Sequence, residues 1–250
     1  MAAAEARFKE LLDKHPKTRF LPDAYLGLGR VQFVAKKYDA ALAQFDKLAS
    51  LAVVKHWDEW LYVSLLWKSR TFLEQKNYPE ALKTVKKVVD SADPQRHGDI
   101  VVEARTVEAT IYVRTSRYDR AAELLRGLIK SVGQKVAVEI ERGGDRMQRT
   151  EAQCYNALGQ CYLKQAEKTK KELDYREAVL AFLWTVVLHQ QRPAEHAEAL
   201  YHAAICFDKL DQRRRATELR NELADKHPDS PYARMVQSPG AAAAKKESAK

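Results

Sequence analysis

With 250 residues, 46% of them apolar and 31% charged, the chain has the length for one elongated domain and shows no second regime of composition. No apolar run approaches the roughly 18 residues that cross a bilayer, and no basic segment with an apolar core opens the chain, so no secretory signal is read in it. Lys and Arg outnumber Asp and Glu by 43 to 34, a net charge of +9. Solvated helix faces account for most of that surplus, and the remainder suits acidic partners.

The opening segment Ala4-x3-Phe8…Pro16 reads as a helix closed by proline, which cannot continue one. Tyr25-x2-Leu28-Gly29 opens the next helix, with Gly29 a notch that lets a neighbouring helix come close. In the phrase Tyr38-Asp39-Ala40-Ala41-Leu42, the residues Tyr38, Ala41 and Phe45 share one face through i, i+3, i+7 spacing. Trp57, Trp60 and Trp67 fall in the following helix and read as packing between units, with an aromatic anchor for a peptide as the alternative.

Tyr78-Pro79-Glu80-Ala81-Leu82 and Tyr118-Asp119-Arg120-Ala121-Ala122 then repeat the Tyr38 phrase at intervals of 40 residues. Between them Asp90–Gly98 is a polar turn rich in helix breakers. From Ala121 to Ala178 the interval grows to 57 residues. Part of the excess is Gly133–Asp145, where Val136–Ile140 is either a helix end or an irregular connector. The rest is Lys164–Asp174, which lengthens a first helix or forms a protruding loop. Tyr201 to Phe207, Ala216 and Pro228 mark a last full unit, and Pro231–Met235 begins another helix. Both ends therefore read as cut within a repeat, and the Ala/Lys tail of 237–250 is expected to be disordered.

A fixed period of this size is the signature of stacked helix pairs, each burying its apolar face against its neighbours. The residues resemble the tetratricopeptide repeat, whose pattern is W-x2-L-G-x2-Y…A-x3-F…P. Tyr155-x2-Leu158-Gly159-x2-Tyr162 with Ala178-x3-Phe182 is the best match, and Tyr25-x2-Leu28-Gly29 with Ala41-x3-Phe45 is nearly as good. Ser69, Ala109 and Ala204 stand at the notch in the other units. The resemblance covers residues 4–236 and implies an all-α, right-handed α-solenoid. It would hold a half repeat at about 1–16, five repeats over about 22–228, and the start of a further helix at 230–236. His-Pro and Pro-Asp-Ser-Pro-Tyr-Ala punctuation also resembles bacterial envelope-associated repeat proteins.

No chemistry-bearing motif accompanies this. Gly27-Leu28-Gly29 lacks the third glycine and the preceding strand of a dinucleotide site. His189, His196 and His202 lack the i, i+4 spacing of helix-borne ligands. Cys154 and Cys161, seven apart on one helix, are about 10 Å apart and cannot bridge; they read as small buried hydrophobes in a reducing compartment. No catalytic, cofactor or metal residue is assigned, and an enzyme is not expected.

The resemblance implies that first helices line an inner face that receives a protein or peptide segment. Register from the notch places Leu26, Arg30, Leu66, Arg70, Thr110, Asn156, Gln160 and Tyr201 on it. Arg30 and Arg70, one unit apart over an apolar floor of Leu26 and Leu66, suit a carboxylate. The leading reading is a non-catalytic interaction scaffold with a protein or peptide partner, acidic in character, and no small-molecule substrate. An envelope assembly factor is the alternative, and a basic nucleic-acid-binding solenoid ranks behind both. The location is cytoplasmic by default, or the envelope if an export signal was trimmed; the oligomeric state is not read.

Overall fold

The computed structural model describes residues 2–141 and 146–237. The described residues form twelve α-helices and no strand. In order they are α1 (Ala2–Lys14), α2 (Leu21–Val34), α3 (Tyr38–Lys55), α4 (Asp58–Glu74), α5 (Tyr78–Ser91) and α6 (Gly98–Arg114). Then come α7 (Tyr118–Glu141), α8 (Arg146–Thr169), α9 (Glu172–Leu188), α10 (Pro193–Lys209), α11 (Arg213–Lys226) and α12 (Pro231–Gln237). Consecutive helices pack against one another, α2 on α3, α3 on α4, α8 on α9 and α9 on α10 among them.

The turn inside each pair recurs in detail. Lys36, Lys76 and Ser116, spaced by the 40-residue period, all take a left-handed backbone with φ of 59°, 60° and 58°. At each, two bonds close the preceding helix, as in Lys36 N–H to Phe33 C=O at 2.9 Å and Lys37 N–H to Gln32 C=O at 2.9 Å. The pattern satisfies carbonyls that a helix end otherwise leaves open. Asp211, with φ 55°, does the same between α10 and α11. The Tyr of each repeated phrase is then the first residue of the second helix, at Tyr38, Tyr78 and Tyr118.

The notch works by close approach. A Cβ on Gly29 would lie 2.4 Å from Phe45, and one on Gly159 would lie 2.7 Å from Phe182. Where Ser69 replaces glycine, its hydroxyl donates to the Ala81 carbonyl at 2.8 Å, converting the contact into a polar link across the pair. Ala41, Ala81, Ala121, Ala178 and Ala216 are each fully buried.

The chain divides into two compact units, Met1–Ile111 and Tyr112–Lys250. In the first, Tyr62, Leu66, Val85, Val88, Ile100 and Ile111 belong to one apolar cluster. In the second, Tyr175, Phe182, Leu200, Phe207 and Leu223 do so. The surplus length between Ala121 and Ala178 goes into two 24-residue helices, α7 and α8. Val136–Ile140 continues α7, and Lys164–Thr169 lengthens α8 up to a turn at Lys170. Gly143-Gly144 lies outside the described residues. So does the Ala/Lys tail, apart from Gln237, which closes α12.

Candidate binding face of the first helices

In the first unit, Arg30 follows the buried notch Gly29 and is turned to solvent. Trp67, one residue after Leu66, packs its ring edge-on to Phe33 at 5.6 Å and stacks on Phe45 at 6.0 Å. Both guanidinium carbons, Arg30 Cζ and Arg70 Cζ, lie 5.0 Å from the Trp67 ring centroid. A cation over an indole face is attracted by the ring quadrupole, which holds each guanidinium while leaving its N–H groups available. The ring beneath the two arginines is thus Trp67, not the floor of Leu26 and Leu66. Leu26 is half-buried, and Leu66 is 1% exposed within the apolar core.

The two arginines differ in one respect. Arg70 Nη2 donates to Glu103 Oε1 on α6 at 2.6 Å. Arg30 makes no ion pair among the described residues. Register gives the reason. Glu103 stands six residues before the notch Ala109 and answers the residue after the preceding notch. The corresponding position for Arg30 is Val63, six before Ser69, and an apolar residue there leaves the guanidinium without a counter-charge.

The second unit repeats the device with amides. Glu198, six before the notch Ala204, accepts from Gln160 Nε2 at 2.5 Å and from Asn156 Nδ2 at 3.1 Å. Asn156 also donates to the Glu195 carbonyl at 2.9 Å and is buried, 2% exposed. Burial raises the Glu198 carboxyl above the ordinary carboxylate range, against the two amide bonds that lower it. Tyr201 meets His202 edge-on at 5.0 Å and Tyr232 at 5.4 Å. Thr110 donates its hydroxyl back to the Thr106 carbonyl of its own helix at 2.9 Å.

Of the eight residues placed by register, then, Arg30 and Arg70 converge on one ring, and Asn156 and Gln160 converge on one carboxylate. Leu66 and Asn156 lie inside, and Thr110 turns its hydrogen to its own backbone. Sequence reasoning missed Trp67 as the shared ring, together with Glu103 and Glu198. The two acids share a register position, so an alignment of the units with one another was the signal that would have found them. Among the described residues, no group of three His, Cys, Asp or Glu side chains is arranged to hold a metal ion, and no helix is long and apolar enough to cross a membrane.

Family models described as tetratricopeptide repeat match residues 2–52 and 198–230. No curated protein matches the chain in sequence. Among solved structures, the apo form of the quorum sensor NprR from B. thuringiensis is similar at 14% identity and TM-score 0.67, over 96% of this chain and 65% of that one. NprR in complex with its cognate peptide NprX is similar at 14% identity and TM-score 0.66, over 99% of this chain and 70% of that one. BtubC from P. vanneervenii is similar at 11% identity and TM-score 0.59, over 91% and 88%. At these identities the likeness is one of fold.

Proposed function

We propose that this chain, whose residues 2–52 and 198–230 match tetratricopeptide-repeat models, is a non-catalytic scaffold that takes an acidic protein segment on the face of α2 and α4. Arg30 supplies the charge, Trp67 the apolar platform, and Arg70 the second cation, already half-satisfied by Glu103. The observation that carries this reading is the contrast between the two arginines. Both are held at one indole ring, yet among the described residues only Arg70 has a carboxylate of its own. A partner carboxylate completes at Arg30 the pairing that Glu103 completes at Arg70. NprR, a protein of the same fold, has been solved with a peptide, and the net charge of +9 favours an acidic ligand over a basic one.

The test is a titration with a panel of fluorescent peptides that carry one or two Asp or Glu side chains, each matched by its Asn or Gln counterpart. Acidic peptides bind more tightly than their amide twins, and Arg30→Glu abolishes the difference. A charge-assisted hydrogen bond contributes about 1.5–3 kcal/mol, so Arg30→Glu weakens binding by roughly tenfold or more. Val63→Glu, which supplies an internal partner for Arg30, produces the same loss without removing the arginine. Equal binding of acidic and amide peptides, or full affinity in Arg30→Glu, would overturn the assignment.

A further inference from the structure

Helix α9 is apolar on both sides. Tyr175, Ala178, Phe182 and Val186 face the core of the second unit. On the opposite side Leu173, Leu180, Trp184, Val187 and Leu188 stand between 47% and 65% exposed. A helix with apolar residues all round is ordinarily buried all round. The other second helices supply an internal control. Counting from the buried alanine of each unit, the positions of Leu180, Trp184 and Val187 are filled by Lys83, Lys87 and Asp90 in α5, and by Glu218, Glu222 and Asp225 in α11. One repeat has exchanged its solvated stripe for an apolar one.

We propose that this stripe of α9 is the contact between two copies of the chain, packed with their α9 helices parallel. Three observations select a second copy as the occupant. The first is spacing. Leu173, Leu180 and Val187 fall seven residues apart, the repeat of a seam between two helices. The second is area. The five exposed side chains present roughly 500 Å² of apolar surface, toward the upper end of the largest patch a single chain ordinarily leaves open. Complete cover of both stripes removes about 1,000 Å², the threshold for a specific interface, to which the flanking polar residues add.

The third observation is charge. Arg176 and Glu177 are both exposed and adjacent in sequence. Successive helical residues are turned by roughly 100°, so these two lie on opposite flanks of the stripe at nearly the same height. A two-fold axis running along α9 exchanges the flanks. Arg176 of each copy then meets Glu177 of the other, the reciprocal pairing that an isologous contact requires. The pair Arg176–Glu172 at 2.6 Å within the helix is exposed on both sides and is readily exchanged for it.

Sedimentation velocity of the full chain tests this directly. A dimer fraction that rises with concentration up to about 100 µM is expected, and Trp184→Glu raises the dissociation constant at least tenfold with an unchanged helical circular dichroism spectrum. Arg176→Glu weakens the dimer, and Arg176→Glu with Glu177→Arg restores it. Oxidative cross-linking is a second readout that leaves Trp184 in place. Cys154, Cys161 and Cys206 are all buried, so Leu180→Cys, at the seam, gives a covalent dimer, whereas Lys83→Cys, at the same register in α5, does not. A chain that stays monomeric throughout, a dimer that survives Trp184→Glu, or equal cross-linking at both positions would overturn the proposal.

Discussion

Gly29 and Gly159 are glycines because Phe45 and Phe182 occupy the space a side chain would need. An alanine at Gly29 forces the Phe45 ring out of its place between α2 and α3, and overpacking of this kind costs about 1–3 kcal/mol. Gly29→Ala is therefore expected to lower the unfolding free energy by that amount and the denaturant midpoint with it, while Gly127→Ala, where an added Cβ meets open space, leaves both level or raises them. Left-handed residues in the turns give the converse case. Lys76 sits at φ 60° without being glycine, a conformation that costs an L-residue roughly 1–2 kcal/mol. Because glycine gives back part of that gain through the entropy of the unfolded chain, Lys76→Gly is expected to stabilise by about 0.5–1 kcal/mol in urea unfolding.

At the scale of elements, α10 and the turns that flank it carry histidines whose charge the fold opposes. Burial first, and then Lys164, holds His202 at about 4, while its ring stacks on Phe182. His189, His196 and His227 are lowered as well, each chiefly by burial. A histidine with a depressed pKa binds its proton more readily unfolded than folded, so stability is full above about pH 6.5. It declines as pH falls from there toward about 4. Glu198 and Glu151, raised by burial, act in the opposite sense over the acid end of that range. The thermal midpoint is expected to fall between pH 6.5 and 4, and His202→Gln to flatten that fall. An unchanged slope in His202→Gln would place the acid sensitivity elsewhere.

The sequence made some elements easy to read and hid others. The helix pairs were legible because Tyr38, Tyr78 and Tyr118 recur at one spacing with buried Ala41, Ala81 and Ala121 behind them. The αL turns were not, since Lys36, Lys76 and Ser116 carry none of the glycine or asparagine that usually marks that conformation. The length of α8 was left open between helix and loop because Lys164–Thr169 is polar and its periodicity faint. The arginine pair was found from register alone, but the ring beneath it was not. Trp67 lies one residue past the position that register assigned to the groove floor, and a packed tryptophan and a binding tryptophan look the same in sequence. Glu103 lies 33 residues from Arg70, beyond any local spacing rule.

On the scale of the molecule, the two units carry different chemistry on their first helices. The first unit offers a cation on an aromatic ring, and the first helices of the second unit carry a carboxylate already bound by two amides. An acidic ligand is therefore expected to prefer α2 and α4, and its affinity to fall as salt screens Arg30. The four tryptophan indole N–H signals in a nitrogen–proton correlation spectrum report this most directly. Addition of an acidic peptide is predicted to shift the Trp67 signal at low salt, to leave Trp184 in place, and to lose its effect in Arg30→Glu. A peptide that binds while the Trp67 signal stays fixed, or that shifts it equally in Arg30→Glu, would contradict the account.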